Sequence, residues 1–569
     1  MLIKYKFTMT TVYVQNISLR SVISVMIKNP LCLICGSLGV VFLIAFLAQG
    51  TSSYQSMATQ QLLPQPESRN DDLLSKAVEA MGGLDKVEGV KTQLIKAEGS
   101  RFEPGQKFEP TEQPLPVSNF SYDLAQSLGS DELRMKWHRD VVYPYPNKLD
   151  YSLVIANNSG LTYGKDGLFS QENGKMSQSA INAILKDQLL SSPIHLLQTA
   201  IQNPESVQVQ ADQMFQGFQH HVIALTPKEG MPPIKIFLDN STLLPSKVET
   251  IEDDPVHGDT LIEVFFDDWR NIDGVMFPFI VTHELHDEVI EEKRSLINVN
   301  PDLTNDIFTI PMNFQYLSED VEKDPSRGWL ASQWYLRMHA FGIPHYGINH
   351  FANFTEISPG VYHVTGSTHH SLVLEMNDHI IVVETPLYEE RSRAVINEVA
   401  KRWPDKPIRY VVATHAHDDH IGGLRAYAAE GATIISSEAG LPEVEHILNS
   451  SHTLRPDSFQ INGPEHVNIE TVPYHEKMVL SDGNRSIDIY SVNNTHSDDM
   501  LVVYLPIEKI LLVSDLYSPG GTPEPFRKYS KELLDFISDS RIEVNLIAGT
   551  HGSGAGGPLK DLHDFVNLK

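Results

Sequence analysis

The sequence has very little cysteine, only one long apolar run and a deficit of basic residues. Its 569 residues include two cysteines, Cys32 and Cys35, and both lie within that run. A chain without the run would have no cysteine, which suits an oxidising or a reducing compartment equally. Lysine and arginine total 44 against 73 aspartates and glutamates, giving a formal net charge of −29. Because a protein that follows a phosphate backbone needs a basic face, we expect no nucleic-acid partner.

The apolar run covers residues 31–48, and a small-x-small pattern at residues 48–50 suits cleavage by signal peptidase. The run is long for a signal peptide and just long enough for a membrane helix. Residues 1–50 are therefore predicted to be a cleaved signal peptide or an uncleaved anchor in the inner membrane. Translation from Met26 rather than Met1 would favour the signal peptide. A buried core helix is disfavoured because the run has no amphipathic period. Both favoured interpretations predict export, to the periplasm.

The rest of the chain is longer than one hydrophobic core usually supports and divides by pattern. Residues 51–69 are polar and glutamine-rich and are predicted to be a tether. Residues 70–311 open with a helix and continue as strands and turns, interrupted by a helical stretch at 179–202, which predicts a β-rich α+β domain. Residues 312–353 are rich in aromatics and are predicted to be a connecting segment packed between domains. In residues 354–569 short apolar strands, such as the one predicted at 371–375, alternate with helices predicted at 389–402 and 421–430, which predicts an α/β domain.

The β-rich region resembles the periplasmic lipoprotein-carrier fold in the rhythm of three phrases, at residues 234–250, 266–284 and 297–311. They share aspartate-led turns, a proline at a strand start and a last strand that runs into Pro311. The resemblance implies an incomplete antiparallel barrel, a half-barrel wrapped over helices that binds something apolar. The alternative is a β-rich domain that only packs against its neighbour.

A dense group of ligand-type residues follows the predicted strand at 408–414. The chain continues as His415-Ala416-His417-Asp418-Asp419-His420 and then Gly422-Gly423. Because alternate residues of an extended segment point to the same side, the first two histidines can meet one metal ion. The aspartate and histidine that end the group fall on the turn into the next helix, where a second ion can be held. The paired glycines allow that helix to approach the loop closely.

This H-x-H-x-D-H pattern resembles that of the metallo-β-lactamase superfamily, and three further ligand positions of that family follow in its order. His496 precedes an apolar strand, and Asp515 and His551 each end one. The resemblance implies a four-layer αββα metallo-β-lactamase fold for residues 354–569. It also implies a first metal ion held by His415, His417 and His496, a second held by Asp419, His420 and His551, and Asp515 bridging both.

Imidazole and carboxylate ligands without thiolate suit two zinc ions, and they also suit iron or manganese. Two ions roughly 3.5–4 Å apart would bridge a water and lower its pKa toward about 7, which makes hydroxide available for attack. Asp419 is the predicted catalytic residue, expected to orient the hydroxide and carry a proton to the leaving group. Glu384 is expected to support the ligands from behind. Four other histidines are interpreted as structural: His363, His369, His370 and His475.

We therefore predict an exported binuclear-zinc hydrolase that uses a metal-bridging hydroxide to cleave an ester, thioester, lactone or amide bond. Its substrate would be a small molecule or lipid-like, and the loops at 386–391 and 517–526 would set specificity. Asp515 favours the glyoxalase II-like and general hydrolase branches over true β-lactamases. Two alternatives stay open, a lipid- or lipoprotein-binding protein with a secondary metal domain and a mononuclear-iron persulfide dioxygenase. The sequence predicts no oligomeric state.

Overall fold

The computed structural model describes residues 67–310 and 351–568, with short gaps at 104, 110–111, 144, 166–173, 177, 229–230, 286–287, 305 and 367. These residues belong to one compact unit, Glu67–Lys569. The predicted signal or anchor at 1–50, most of the tether at 51–69 and most of the connecting segment at 312–353 lie outside the described residues. The domain boundaries therefore stay predictions. Within the described ranges no helix is both long enough and apolar enough to cross a membrane.

The first part of the described chain builds a fourteen-stranded antiparallel sheet. Two meanders lie side by side in it, and the first and last strands of the region, β1 and β14, pair where the meanders meet. The strands are β1 Thr92–Glu103, β2 Leu115–Ser127, β3 Glu132–Val141, β4 Asn147–Ala156, β5 Ser159–Lys165, β6 Gly174–Lys175, β7 Val207–Val209, β8 Gln213–Phe215, β9 Phe218–Leu225, β10 Ile234–Asp239, β11 Pro245–Asp254, β12 Gly258–Ile272, β13 Val275–Leu285 and β14 Glu288–Val299.

Helices of the same region pack against this sheet, and their apolar residues form one buried cluster with strand residues such as Ile223 and Val264. The stretch predicted as one helix at 179–202 is two helices, because Pro193 cannot continue a helix and Ser192 caps the second one by accepting the N–H of His195. The helices are α1 Glu67–Ala80, α2 Leu84–Gly89, α3 Gln178–Leu190 and α4 Pro193–Gln202, followed by a 3-10 turn at Pro204–Ser206.

The second part of the chain builds two further sheets of seven and six strands. Each combines antiparallel pairs with parallel ones, such as β18 with β19 and β25 with β26. The strands of the first are β15 Asn353–Ser358, β16 Val361–Thr365, β17 Ser371–Glu375, β18 Ile380–Val383, β19 Ile408–Val412, β20 Thr433–Ser437 and β21 Ile469–Val472. Those of the second are β22 Lys477–Ser481, β23 Ser486–Ser491, β24 Leu501–Leu505, β25 Ile510–Val513, β26 Leu546–Gly549 and β27 Gly557–Pro558.

Three apolar cores arrange these sheets and their helices in four layers. One core lies between the two sheets and includes Val412 and Leu512. A second lies between the seven-stranded sheet and α5, α7 and α8, and a third between the six-stranded sheet and α10 and α11. The predicted fold class, an αββα arrangement preceded by a β-rich region, is confirmed. The helices are α5 Glu389–Arg402, α6 Asp418–Ile421, α7 Leu424–Ala429, α8 Leu441–Asn449, α9 Ser458–Asn462, α10 Arg527–Ser540 and α11 Leu559–Val566, with a 3-10 turn at Glu524–Phe526.

Candidate metal centre

The structure brings the seven predicted ligand residues together from loops next to core strands. Two of them precede α6 and two lie within it, one lies between β23 and β24, and one follows each of β25 and β26. The apolar strands are buried between layers and fix the positions from which these side chains project. The seven are His415, His417, Asp419, His420, His496, Asp515 and His551.

The first group of ligand atoms comes from three histidines and a carboxylate. His415, His417, His496 and Asp515 each offer one atom, and these atoms lie within 4.8 Å of one another. The Oδ2 atom of Asp515 is 3.4 Å from Nε2 of His496. One ion placed among these atoms would have the three imidazoles that the family resemblance implies.

The second group shares the same carboxylate. The Oδ1 atom of Asp515 lies 3.1 Å from Nε2 of His420 and 3.1 Å from Nε2 of His551. The Oδ2 atom of Asp419 is 3.8 Å from Nε2 of His420. Asp515 therefore faces one group with each of its oxygens, which is the arrangement that a bridging carboxylate needs.

The donor set fits metal ions by its hydrogen bonding as well as by its chemistry. Buried polar atoms normally have hydrogen-bond partners. Two buried ring nitrogens of this cluster have none within the described residues, Nε2 of His415 and Nδ1 of His417. Nε2 of His420 and Nε2 of His496 both face Asp515. Imidazole nitrogens held in this way, next to carboxylates and without thiolate, are typical of zinc sites.

The other nitrogen of several rings is held by a neighbouring acceptor, which sets the tautomer. Nδ1 of His551 donates to the carbonyl of Thr368 at 2.9 Å, and Nε2 of His417 donates to the carbonyl of Lys107 at 2.9 Å. Nδ1 of His420 donates to Glu384 at 3.1 Å. In each of these rings the other nitrogen faces the cluster and is the one available to a metal ion.

Glu384 lies behind the ligands, where the sequence predicted support for them. Its fully buried carboxylate accepts hydrogen bonds from the hydroxyls of Thr414 and Ser514 as well as from His420. Ser514 precedes the bridging carboxylate, and its Oγ atom is also 3.3 Å from Nδ1 of His415. One carboxylate thus connects residues of both ligand groups through hydrogen bonds.

The fourteen-stranded sheet reaches the same centre through its β1–β2 loop. Nε2 of Gln106 donates to Oδ1 of Asp419 at 2.8 Å, and the hydroxyl of Tyr143 donates to Oε1 of Gln106 at 3.3 Å. The loop backbone is also fixed to the C-terminal domain, because Asp418 N–H donates to the Gly105 carbonyl and Asp498 N–H donates to the Phe108 carbonyl. No sequence motif indicated these contacts, which link residues about 300 positions apart along the chain.

His369 belongs to the centre, although its sequence did not distinguish it from other histidines. Its ring is fully buried, its Nε2 atom donates to Oδ2 of Asp419 at 3.2 Å, and its Nδ1 atom is 2.8 Å from Thr368 Oγ1. It forms a second possible ligand trio with His420 and His551. Three other histidines were interpreted as structural from the sequence, and they lie outside the centre. His363 and His370 contact glycine carbonyls, and His475 is exposed.

The two ligand groups differ in charge. Burial holds the pKa of His415 well below its usual value and lowers that of His417 to about 4, and neighbouring imidazoles add to the effect. Burial also acts to lower the pKa of His420, but Asp515, Glu384 and Asp419 outweigh it and raise that pKa well above its usual value. Asp515 likewise overcomes burial and raises the pKa of His551. His415 and His417 of the first group are therefore neutral, whereas His420 and His551 of the second group form charged pairs with carboxylates.

The carboxylates of the centre are ionised. Burial acts to raise the pKa of both Asp419 and Asp515, but His420 outweighs it in each case, with His369 adding for Asp419 and His551 adding for Asp515. Both pKa values therefore lie well below the usual range of a carboxyl. Ionised carboxylates are the form that binds metal.

Glycines allow the ligand-bearing helix α6 to lie close to its neighbours. A Cβ atom on Gly422 would lie 2.0 Å from the carbonyl oxygen of Leu387, and one on Gly423 would lie 2.1 Å from Oγ of Ser392. Leu387 N–H also donates to the Asp419 carbonyl at 3.0 Å. One of the loops predicted to set specificity, 386–391, is therefore packed directly against the ligand segment.

Comparison with known proteins agrees with this geometry. The family model described as the metallo-beta-lactamase superfamily matches residues 359–444, which include the ligand segment from His415 to His420. The C-terminal domain of this chain is therefore similar to proteins of the metallo-β-lactamase superfamily. The predicted enzyme class is confirmed at the level of this superfamily.

Individual relatives match only part of the chain. An (R)-specific secondary-alkylsulfatase from Pseudomonas sp. is 31% identical over 122 residues, which are 20% of this chain and 18% of the relative. The metallo-beta-lactamase type 2 of Elizabethkingia meningoseptica is 24% identical over 145 residues, 26% of this chain and 51% of the relative. A solved metallo-β-lactamase from Pseudomonas aeruginosa, at 21% identity and a TM-score of 0.29, covers 38% of this chain and 94% of its own. The chain thus spans less than a fifth of the alkylsulfatase and about half of the type 2 lactamase.

Proposed function

We propose that the chain is a binuclear-zinc hydrolase that cleaves an ester, thioester, lactone or amide bond of a small-molecule or lipid-like substrate. The observation that carries this proposal is the pair of ligand groups that share Asp515, with two further buried histidine nitrogens, of His415 and His417, that lack hydrogen-bond partners among the described residues. A structural role for these histidines would leave that hydrogen-bonding capacity unused. Two metal ions account for both groups.

Two zinc ions bound there would supply a hydroxide near neutral pH and polarise the oxygen of the bond to be cleaved. The chain itself supplies the proton carrier. Asp419 is ionised, and its two oxygens are held separately, one by Gln106 and the other by His369. A carboxylate held at both oxygens cannot rotate freely, so it can accept a proton from an attacking water at a defined position and deliver it to the leaving group.

The position of the β1–β2 loop favours a small-molecule substrate over a polymer. It lies against His417 and Asp419 and is bonded to the segment at Asp498. Nearby, the ring of Tyr145 packs against that of Phe526 in the second predicted specificity loop, with centroids 5.7 Å apart. A bulky polymer would have to displace these contacts to reach the ligands. The alkylsulfatase relative adds sulfate monoesters to the substrates that need testing.

The lipid-binding alternative is less well supported than hydrolysis. Residues of α1 to α4 pack against the fourteen-stranded sheet and form one apolar cluster with it. The space that a carried acyl chain would need against that face is therefore taken by the chain's own helices. Acyl chains that co-purify with the full-length chain would restore this alternative.

The test combines metal content and turnover of the full-length chain. We expect at least two zinc ions per chain by plasma mass spectrometry and hydrolysis of at least one member of a panel of carboxylic esters, thioesters, lactones, β-lactams and sulfate monoesters. Chelation or Asp419→Asn should abolish that hydrolysis, and Asp405→Asn at an exposed turn is the matched control. Activity that survives both treatments would contradict the proposal. About one iron per chain with oxygen consumption on glutathione persulfide would replace it with the dioxygenase.

Export is part of the proposal and rests on residues 1–50 alone. We expect the chain in the periplasmic fraction if the segment is cleaved after Gly50, and in the inner-membrane fraction if residues 31–48 stay as an anchor. N-terminal sequencing of the recovered chain distinguishes these two forms. A metal-loaded chain in the cytoplasmic fraction with residues 1–50 intact would contradict export.

A further inference from the structure

A second cluster of ligand-type side chains lies where the fourteen-stranded sheet meets the C-terminal domain. His257 comes from the turn between β11 and β12, and Glu443 and His446 come from α8. Each offers one ligand atom, and the three atoms lie within 4.8 Å of one another. None of these residues belongs to the metal centre described above.

The helix contributes its two residues on one face. Glu443 and His446 are three positions apart in α8, a spacing that places side chains next to each other on a helix. Glutamate and histidine at this spacing bind metal ions together in helical carboxylate proteins. Val444 and Ile447, the apolar residues between and beyond them, are buried, so the helix cannot rotate this face away.

The turn that carries His257 is fixed on the C-terminal domain. Val256 is buried in the apolar core of that domain. Asp259 N–H donates to the carbonyl of Ser451, and the Asp259 carboxylate accepts the N–H groups of Thr453 and Leu454. A Cβ atom on Gly258, where φ is +72°, would lie 2.1 Å from the Ser451 carbonyl, so only glycine permits this approach.

His257 is oriented as metal-binding histidines are. Its side chain is 4% exposed, and its Nε2 atom is 3.3 Å from Oδ1 of Asp418. Its other nitrogen, Nδ1, is 3.8 Å from Oε1 of Glu443, and its ring centroid is 5.4 Å from that of His446. A histidine that donates one N–H to a carboxylate and turns the other nitrogen to further ligands is the usual arrangement behind a zinc ion.

We propose that His257, Glu443 and His446 bind a third divalent metal ion, of the zinc class, with Asp418 orienting His257. Two imidazoles and one carboxylate suit zinc, and the exposed side of His446 leaves the fourth position to water. Such an ion joins the β11–β12 turn to α8. It also connects that turn to Asp418, the residue before the predicted catalytic carboxylate.

The test measures metal equivalents on the full-length chain after equilibrium dialysis against limiting zinc. His446→Ala and Glu443→Gln should each lower the zinc content by one equivalent relative to the unmodified chain. Two exposed residues provide matched controls, Glu445→Gln on the same helix and His563→Ala on α11, and neither should change the zinc content. Because His446 is exposed and Glu443 is partly exposed, both variants should keep their fold by circular dichroism.

Unchanged zinc content in either variant overturns the third site, and His257 is then a histidine shared between two carboxylates. The result is separable from the proposed hydrolase function. If the main centre holds no zinc, the unmodified chain should still bind one equivalent at the third site, and both variants should lose it. If the third site is wrong, hydrolysis and its loss in Asp419→Asn are unaffected. Cobalt substitution gives a second readout. The absorption of one cobalt equivalent should disappear in His446→Ala and should be retained in the control His563→Ala.

Discussion

The C-terminal domain and the fourteen-stranded sheet contribute different kinds of groups to one centre. Every predicted ligand lies in the C-terminal domain, either in a loop next to a buried strand or in the short helix α6. The sheet contributes the Gln106 side chain and the Lys107 carbonyl, which hold Asp419 and His417 in place. The difference indicates that the C-terminal domain supplies the chemistry, whereas the sheet supplies orientation and cover. Substitutions in the two regions should therefore reduce hydrolysis by different amounts.

The largest effect is expected at the carboxylate shared by both ligand groups. Asp515→Asn removes the negative charge that faces His496 on one side and His420 and His551 on the other. We expect a loss of hydrolysis of roughly 10³-fold or more, as for groups on which a whole catalytic assembly depends. Zinc content should fall below one equivalent at the main centre.

The matched control for this change is Asp561→Asn on the exposed side of α11. It should leave both zinc content and turnover as they are. If Asp515→Asn retained activity within tenfold of the unmodified chain, the shared carboxylate would not bridge two ions. The inference that the C-terminal domain supplies the groups for hydrolysis would then be contradicted.

Acidification should separate the two ligand groups. The pKa values of His420 and His551 are raised, so in the metal-free chain both carry protons that a metal ion must displace. Below those pKa values each displaced proton weakens binding about tenfold per pH unit, or about 100-fold for the pair. The pKa of His417 is lowered to about 4 and that of His415 lies well below its usual value, so these two histidines of the first group have no such protons to displace.

Equilibrium dialysis between about pH 7.5 and about pH 5.5 tests this difference. One zinc equivalent of the main centre should be lost on acidification while the other is retained. Loss of both equivalents in parallel would show that the two groups do not differ in charge. The contrast between the C-terminal domain and the fourteen-stranded sheet would then rest only on which side chains each region contributes to the centre.

The C-terminal elements were largely predictable because local pattern and tertiary packing agree there. The helix predicted at 389–402 coincides with α5, and the strand predicted at 371–375 coincides with β17. The helix predicted at 421–430 is instead divided between α6 and α7. Its Gly422-Gly423 pair lies against Leu387 and Ser392, and this packing interrupts the helical hydrogen bonds that its apolar spacing had indicated.

The supporting groups of the centre were not predictable from the sequence. A backbone carbonyl such as that of Lys107 has no residue-type signal, and Gln106 reaches Asp419 only because two distant regions pack together. His369 had one available signal, its place two residues before the apolar strand β17, but His370 lies directly before that strand and contacts a backbone carbonyl, that of Gly552, through its ring. The αββα fold and the order of the ligands could be predicted from local motifs. The orientation of the ligand side chains depends on contacts between residues far apart in the sequence.

His369 provides an intermediate effect within the C-terminal domain. His369→Ala removes the donor to one oxygen of Asp419, and groups that orient metal ligands usually contribute roughly 10- to 100-fold to activity or metal affinity. His369→Gln should recover part of the loss, because its amide can donate to the same oxygen. A merely structural histidine would show no such rescue.

The control for this pair is His475→Ala, at an exposed loop position. It should leave turnover and zinc content unchanged. A loss in His369→Ala as large as that in Asp515→Asn would instead identify His369 as a ligand, in line with its distance to His420 and His551. That result would sharpen the description of the second ligand group without changing the role of the sheet.

The smallest effect is expected in the sheet itself. Gln106→Ala leaves every ligand in place and removes only the donor to Oδ1 of Asp419, while His369 still holds the other oxygen. We expect turnover to fall by roughly tenfold, at the lower end of the range for groups that orient ligands, with zinc content unchanged. Gln208→Ala, an exposed glutamine of the same sheet, should show no loss. A loss of zinc in Gln106→Ala would mean that the sheet holds the metal and not only its ligands, and the division between the two regions would fail.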